Sequence, residues 1–451
     1  MGSQITSNKK TGKSAQIKNK SNIGNIKSKY ILQILFNNLP KKKALEIIKY
    51  NKQTQKRLNI NINNYKEYSQ IYSTIEIELL TIENASGNFF NYIDKEAKPY
   101  YHVYFDNNQK KEIKRNYIDK NEKVKRIKIV IDNKIISFNN LFKDCMCIES
   151  ISFKKCIRNN INYISGMFYN NSFLKEINFS NFNTSNVNSM SSVFNSCFSL
   201  KKLDLSNFDT SKVEDMSNMF YNCKSLEELN ISNFTNDKVK YMNNMFFGCK
   251  SLNEINLSNF GTNNVIEMPY MFSGCSSLKE IDLSNFNTSN TINMKAMFMG
   301  CSSLKGLNLP NFNTDKVVDI SYMFSGCSSL KELDISNFNT NKVIDMKDMF
   351  YGCSSLDKIN LSNFNTSQVT NMKDMFSGCS SLKELNISHF STNNLISMSY
   401  MFQGCKSLNK LNLPLIGNNV RDLSYLFSEC TDDFKTKMRI QYKNIGNEAF
   451  Y

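Results

Sequence analysis

Nine cysteines stand at one fixed interval of 26 residues: Cys197, Cys223, Cys249, Cys275, Cys301, Cys327, Cys353, Cys379 and Cys405. Equal spacing means one supersecondary unit copied in series, and copies that each expose an apolar face bury it by stacking on their neighbours. One step back lands on Asn171 and the next on Cys145, while the step forward arrives one residue short, at Cys430. The repeated region therefore spans residues 135–430.

A representative unit, Cys275 to Gly300, reads CSSLKEIDLSNFNTSNTINMKAMFMG. Leu278, Ile281 and Leu283 follow L-x-x-L-x-L, and the alternation at Ile281 and Leu283 predicts a short strand. Its water-facing side chains are Lys279, Glu280 and Asp282. The strand stops near Ser284, because that column accepts proline at Pro310 and Pro414, which cannot serve an interior ladder. After a polar turn, Val213, Met216, Met219 and Phe220 in another copy fall at i, i+3, i+6 and i+7, which predicts a helix of about two turns.

Other columns have mechanical readings. Asn207, Asn233, Asn259 and Asn285 belong to a stack of amides that can satisfy backbone groups freed at the bend. Phe182 through Phe390 read as an aromatic spine. Thr184, Thr210, Thr262, Thr288, Thr314, Thr340, Thr366 and Thr392 stand where they would cap the following helix. No column of paired carboxylates, or of His with Cys, is apparent.

The pattern C-x-x-L-x-x-L-x-L-[SP]-x-F…V-x-x-M-x-x-M-F-x-x-C resembles the leucine-rich repeats of BspA-like surface proteins. Its Asn-Thr-Ser-x-x-Val variant is similar to the repeat domain of certain mycoplasma lipoproteins. The resemblance implies an α/β solenoid, a right-handed coil of about eleven turns, with a role in binding or adhesion and no catalytic residues. The opening residues carry neither a signal peptide nor a lipobox cysteine, which departs from a cell-surface protein.

Eleven of the thirteen cysteines occupy one column, with Cys147 and Cys156 outside it. A small apolar thiol suits a buried slot, so Cys223, Cys249, Cys275 and Cys301 read as structural thiols rather than disulfides or a metal site. The spacing of Cys145 and Cys147 does not suit zinc. Thiols in this number favour a reducing compartment.

The formal charge of +16 sits at the front: residues 1–140 hold 27 Lys/Arg against 12 Asp/Glu, and the remainder 29 against 28. The solenoid is thus no basic groove, and the Arg clusters with interleaved aromatics of a nucleic-acid binder are missing.

Residues 1–27 read as a disordered basic tail. Its start, Met1-Gly2-Ser3-Gln4-Ile5-Thr6, matches the N-myristoylation pattern at Gly2. Lys9, Lys10, Lys13, Lys18 and Lys20 would add attraction to anionic lipid. Residues 28–64 predict helices broken at Pro40. Their apolar positions Ile31, Leu32, Leu35, Phe36, Leu39, Leu45 and Ile48 resemble an F-box, although the usual leading Leu-Pro and tryptophan are absent. Residues 65–134 predict three strands, Ile75–Leu80, Tyr100–Phe105 and Val124–Ile131, that shield the first coil. Residues 431–451 read as a closing cap.

The function expected is a non-enzymatic recognition scaffold that binds a protein partner on its stacked-strand face. The side chains presented there are Lys202, Asp204, Glu228, Asn230, Glu254, Asn256, Glu280, Asp282, Glu332, Asp334, Lys358, Glu384 and Lys410. The alternatives are a ubiquitin-ligase adaptor through residues 28–64 and a secreted adhesin whose N-x-S/T triplets accept glycans. The composition implies no cofactor, no metal and no nucleic acid. The expected location is cytoplasmic, peripheral on the inner membrane face if Gly2 is acylated, with the cell surface as the alternative.

Overall fold

A chain built from equal units must give each coil's buried backbone groups partners in the next coil. In the computed structural model, which describes residues 26–39, 41–92, 96–106, 108, 111–132 and 135–451, that is what the repeats do. Gly2 and the lysines of the tail lie outside the described residues. The chain divides into two units, Met1–Tyr72 and Ser73–Tyr451.

The first unit holds four helices: α1 (Lys29–Asn38), α2 (Lys41–Ile48), α3 (Lys52–Arg57) and α4 (Ile62–Tyr72). Leu32, Leu45, Ile48 and Leu58 form its core, with Phe36 and Tyr65 packed on it. Ser28 caps α1 by accepting from the Ile31 amide at 3.3 Å. Helix α4 continues to Tyr72, so the helical segment runs past residue 64, where the sequence pattern placed the change to strands.

The second unit opens on a sheet. Strands β1 (Ile75–Thr81), β3 (Tyr101–Phe105) and β5 (Arg126–Ile131) are antiparallel neighbours, and β2 (Gly87–Asn88) and β4 (Tyr117–Ile118) form a separate pair. Strand β6 (Ile148–Lys155) pairs antiparallel with β1 and parallel with β7 (Glu176–Asn178), so it carries the sheet into the first coils. Arg158, fully buried, donates to the carbonyls of Ser73, Ile131, Asp132 and Ile135 and so ties strand ends to the first coils. A charge buried this deeply needs that many acceptors.

Beyond β7 the unit is a repeat solenoid, and it differs from the predicted α/β coil. Among the described residues no helix lies between 135 and 430. The stretch after Val213 is a series of overlapping turns: Met219 N–H bonds Met216 O, Tyr221 bonds Asn218 O, and Cys223 bonds Phe220 O, at 3.1–3.2 Å. The alternate amides of Met216, Asn218, Phe220 and Asn222 instead reach the carbonyls of Tyr241, Asn243, Met245 and Phe247 in the next coil, at 2.6–2.9 Å. Asn218 and Asn222 adopt φ of +57° and +56°, a left-handed conformation that interrupts any helix. Gly274 takes the same role at φ +74°, with the Gly248 Cα only 3.4 Å from where a Cβ would stand.

The predicted strand column is also broken. Strand pairs form at β8 (Lys202–Asp204) with β9 (Glu228–Asn230), β10 (Gly306–Leu307) with β11 (Glu332–Leu333), and β12 (Glu384–Asn386) with β13 (Lys410–Asn412). No strand is assigned at 254–256, 280–282 or 358–360. The unbroken parallel ladder lies elsewhere, through single-residue bridges from Ser137 to Asp422.

Three side-chain files hold the coils together. Each threonine of the file reaches forward: Thr314 Oγ1 donates to Asn339 O at 2.9 Å and accepts from Asn339 N–H at 2.7 Å. These hydroxyls clamp the following coil rather than cap a helix. The asparagines reach back, Asn207 to Phe179 O at 2.7 Å and Asn259 to Ser232 O at 2.7 Å. Asn233 and Asn285 do the same to Ser206 and Ser258. The cysteines also reach back, as described below. The continuous aromatic spine runs from Phe142 to Phe427, with ring centroids 5.3–6.0 Å apart and planes within 12°. The Phe182 file stacks only in part.

At the far end, helix α5 (Asp432–Gln441) buries Phe434 and Met438. The amides of Tyr425 and Phe427 bond the carbonyls of Glu448 and Ala449, each at 2.7 Å, where interior coils would use the next coil.

Asn236 occupies the threonine file, is 3% exposed, and neither of its amide atoms finds a partner among the described residues. Asn236→Thr should restore the clamp and raise stability by about 1–2 kcal/mol. Thr314→Val should lower it by about 1–2 kcal/mol, because it strands a part-buried N–H and C=O at Asn339. Urea unfolding midpoints measure both.

Candidate functional site

The strand face is built by an alternation that sends Leu203, Leu229, Ile255, Leu307, Leu333 and Leu385 into the core and their neighbours outward. All thirteen side chains placed on this face from the sequence are exposed. They split into two files with different work.

The second file ends the strand. Asp204, Asn230, Asn256, Asp282 and Asp334 each accept from the amide two residues on, Ser206, Ser232, Ser258, Ser284 and Ser336, at 2.9–3.2 Å. This local turn is the usual use of Asp and Asn at such a bend. The Ser206 amide holds the Asp204 carboxyl below its ordinary range, and Ser284 and Ser336 do the same for Asp282 and Asp334. Pro310 and Pro414 stand where the serine amide would be, and proline has no N–H to donate. These Asp and Asn residues each close a local turn of their own coil.

The first file points outward with no such duty: Lys202, Glu228, Glu254, Glu280, Glu332, Lys358, Glu384 and Lys410. Lys202 Nζ lies 2.5 Å from Glu228 Oε1, and the bond raises the lysine pKa. Lys410 pairs with Glu384 at 3.5 Å. Gly306 interrupts the file and brings no side chain to the place beside Glu332. Around the first coils the face sinks into a depression of about 690 Å³, whose walls include Glu227, Glu228, Glu254, Asp204 and Lys202.

The thiols can do little chemistry. All thirteen cysteines are buried and reduced. Sγ of Cys223, Cys249, Cys275 and Cys301 lies 3.0–3.2 Å from the carbonyl oxygens of Phe194, Phe220, Phe246 and Phe272 in the preceding coil, to which the S–H donates. Asn171, in the same file, sends Nδ2 to Phe142 O at 2.7 Å, so what the position requires is a donor. Burial pushes the Cys223 and Cys275 thiols up to about 12.

Two features escaped the sequence reading. Asp348 and Asp374 occupy one file in adjacent coils, so a pair of carboxylates does exist. Burial raises both pKa values, the Asp374 charge adds to the effect on Asp348, and Lys347 and Lys373 stand 3.8 and 3.9 Å away. Their 26-residue separation was the available signal. The other is an aliphatic file, Ile292, Val318, Ile344 and Ile396, exposed by 39–53%. It follows by one residue the core file that holds Val317 and Val343, which is why it passes as core. Among the described residues no group of three or more His, Cys, Asp or Glu is placed to hold a metal ion.

Below pH 9, the thiol's ordinary value, the folded state keeps its full stability from these groups. Above it the unfolded chain releases protons first, so each thiol held near 12 should cost about 1 kcal/mol per pH unit. Denaturation followed from pH 8 upward should show a steep loss starting at about pH 9. Native protein should resist iodoacetamide.

A family described as "Mycoplasma protein of unknown function, DUF285" matches residues 136–255, 226–333 and 318–440. No curated protein matches the chain. Among solved structures, a leucine-rich repeat protein from Bacteroides ovatus is 19% identical, covers 71% of this chain and 88% of its own, and has a TM-score of 0.39. One from Eubacterium ventriosum is 16% identical, covering 62% and 90%, with a TM-score of 0.29.

Proposed function

We propose that this chain, which belongs to the DUF285 family of Mycoplasma proteins of unknown function, is a non-enzymatic scaffold that receives a protein partner on its strand face. Its units are BspA-like leucine-rich repeats. Stacked repeats of this kind present side chains at fixed steps over a long surface, which suits an extended partner.

The observation that carries the reading is the depression between Lys202 and Asn256, where Glu227, Glu228, Glu254 and Asp204 outnumber the two lysines paired with them, Lys201 on Glu227 and Lys202 on Glu228. Opposite charge steers encounter and sets specificity, so the partner surface is basic or polar. The aliphatic file at Ile292, Val318 and Ile344 supports a second reading, in which an apolar segment packs on the turn side.

Affinity capture with the full chain separates them. Glu228→Lys/Glu254→Lys should deplete the captured partners about tenfold and abolish their sensitivity to salt. Capture unchanged by that pair, yet lost with Ile292→Lys/Ile344→Lys, moves the working surface to the turn side. Indifference to both pairs refutes a solenoid-borne partner site.

A further inference from the structure

We propose that the outer face of α1 docks on an anionic lipid bilayer, an inference independent of the strand-face reading. The inner face of α1 packs Leu32 and Phe36 into the helical core. Tyr30, Ile31, Ile34 and Leu35 lie opposite, at 75%, 52%, 43% and 45% exposure. Their spacing of i, i+1, i+4 and i+5 gathers them on one side of the helix. A helix apolar on both sides still lacks a partner for one of them.

Charge says what that partner is. Residues 26–72 hold ten Lys/Arg against two acids, Glu46 and Glu67. The Arg57 guanidinium donates to the carbonyls of Ile26 and Lys27, which fixes the chain as it enters α1. In sequence, the 25 residues before them carry Lys9, Lys10, Lys13, Lys18 and Lys20 and no acid. An exposed apolar helix face in a unit with this excess of basic charge is the chemistry of a helix lying in a lipid interface. No helix among the described residues is long and apolar enough to cross a membrane, and this mode needs none.

Other occupants fit less well. A second copy would bring two such basic units together. Phosphates of a nucleic acid reward cations but not Ile31, Ile34 or Leu35, and the unit's one arginine, Arg57, already serves two carbonyls.

The chain has no tryptophan, so Ile34→Trp gives a single fluorophore on the proposed face. The unacylated full chain with this change should sediment with vesicles of phosphatidylserine in phosphatidylcholine and show a blue-shifted emission. Binding to pure phosphatidylcholine should be at least about tenfold weaker. Ile31→Gln/Leu35→Gln should weaken vesicle binding about tenfold while leaving circular dichroism and the melting midpoint unchanged. Equal affinity for neutral vesicles, bound protein without the spectral shift, or undiminished binding by the folded double variant would overturn the proposal. So would displacement of the bound chain by RNA, or by an acidic soluble protein, at equal charge.

Discussion

Every coil of the solenoid leaves buried carbonyls and amides that its own short turns cannot pair, and the fold depends on pairing them one coil away. In a helix each amide finds its acceptor within the same segment. Here alternate amides, such as those of Met216 and Phe220, cross to the neighbouring coil. The carbonyl of Phe220, which its own turn fills only once through the Cys223 amide, takes a second donor from the following coil in the Cys249 thiol. An unpaired buried polar group costs about 1–3 kcal/mol, so one misaligned coil would forfeit several such bonds together. That penalty explains why so many positions repeat at fixed spacing without any chemistry to serve.

The same constraint separates what was legible in the sequence from what was not. Columns were legible because a stacked coil translates a spatial neighbour into a constant offset, and Cys223, Asn207 and Thr314 announced themselves that way. The direction of their bonds was not. A threonine before an apolar run looks like a helix cap, and only coordinates reveal that Thr314 grips Asn339 in the next coil. The false helix has a similar origin. Val213, Met216, Met219 and Phe220 are spaced as on a helix, but the left-handed residues Asn218 and Asn222 return the chain to a turn. The glycine file ahead of the cysteines, Gly248 to Gly404, was the overlooked warning, since helix interiors disfavour glycine.

The candidate site was legible in outline. Alternation identified the outward side chains of the strand face, but not that Asp204, Asp282 and Asp334 also close a local turn through the following serine amide. Periodicity cannot show that double duty, because a side chain bonded locally and one left for a partner occupy the same column. The aliphatic file at Val318 and Ile344 was hidden for the opposite reason, as an apolar residue beside core positions such as Val317 and Val343 draws no attention. In the helical unit, both faces of α1 were apolar in the sequence, and only packing could tell the inner from the outer.

Near-identity of the coils also bears on how the chain reaches its native arrangement. A unit displaced by one whole period would meet almost the same neighbours, so slippage is cheap wherever consecutive copies agree. Irregular members break the degeneracy: Asn171 in place of a thiol, Gly306 in place of a glutamate, His389 in place of an asparagine, and the shortened step before Cys430. These blemishes act as index marks that tell each segment its rank in the series.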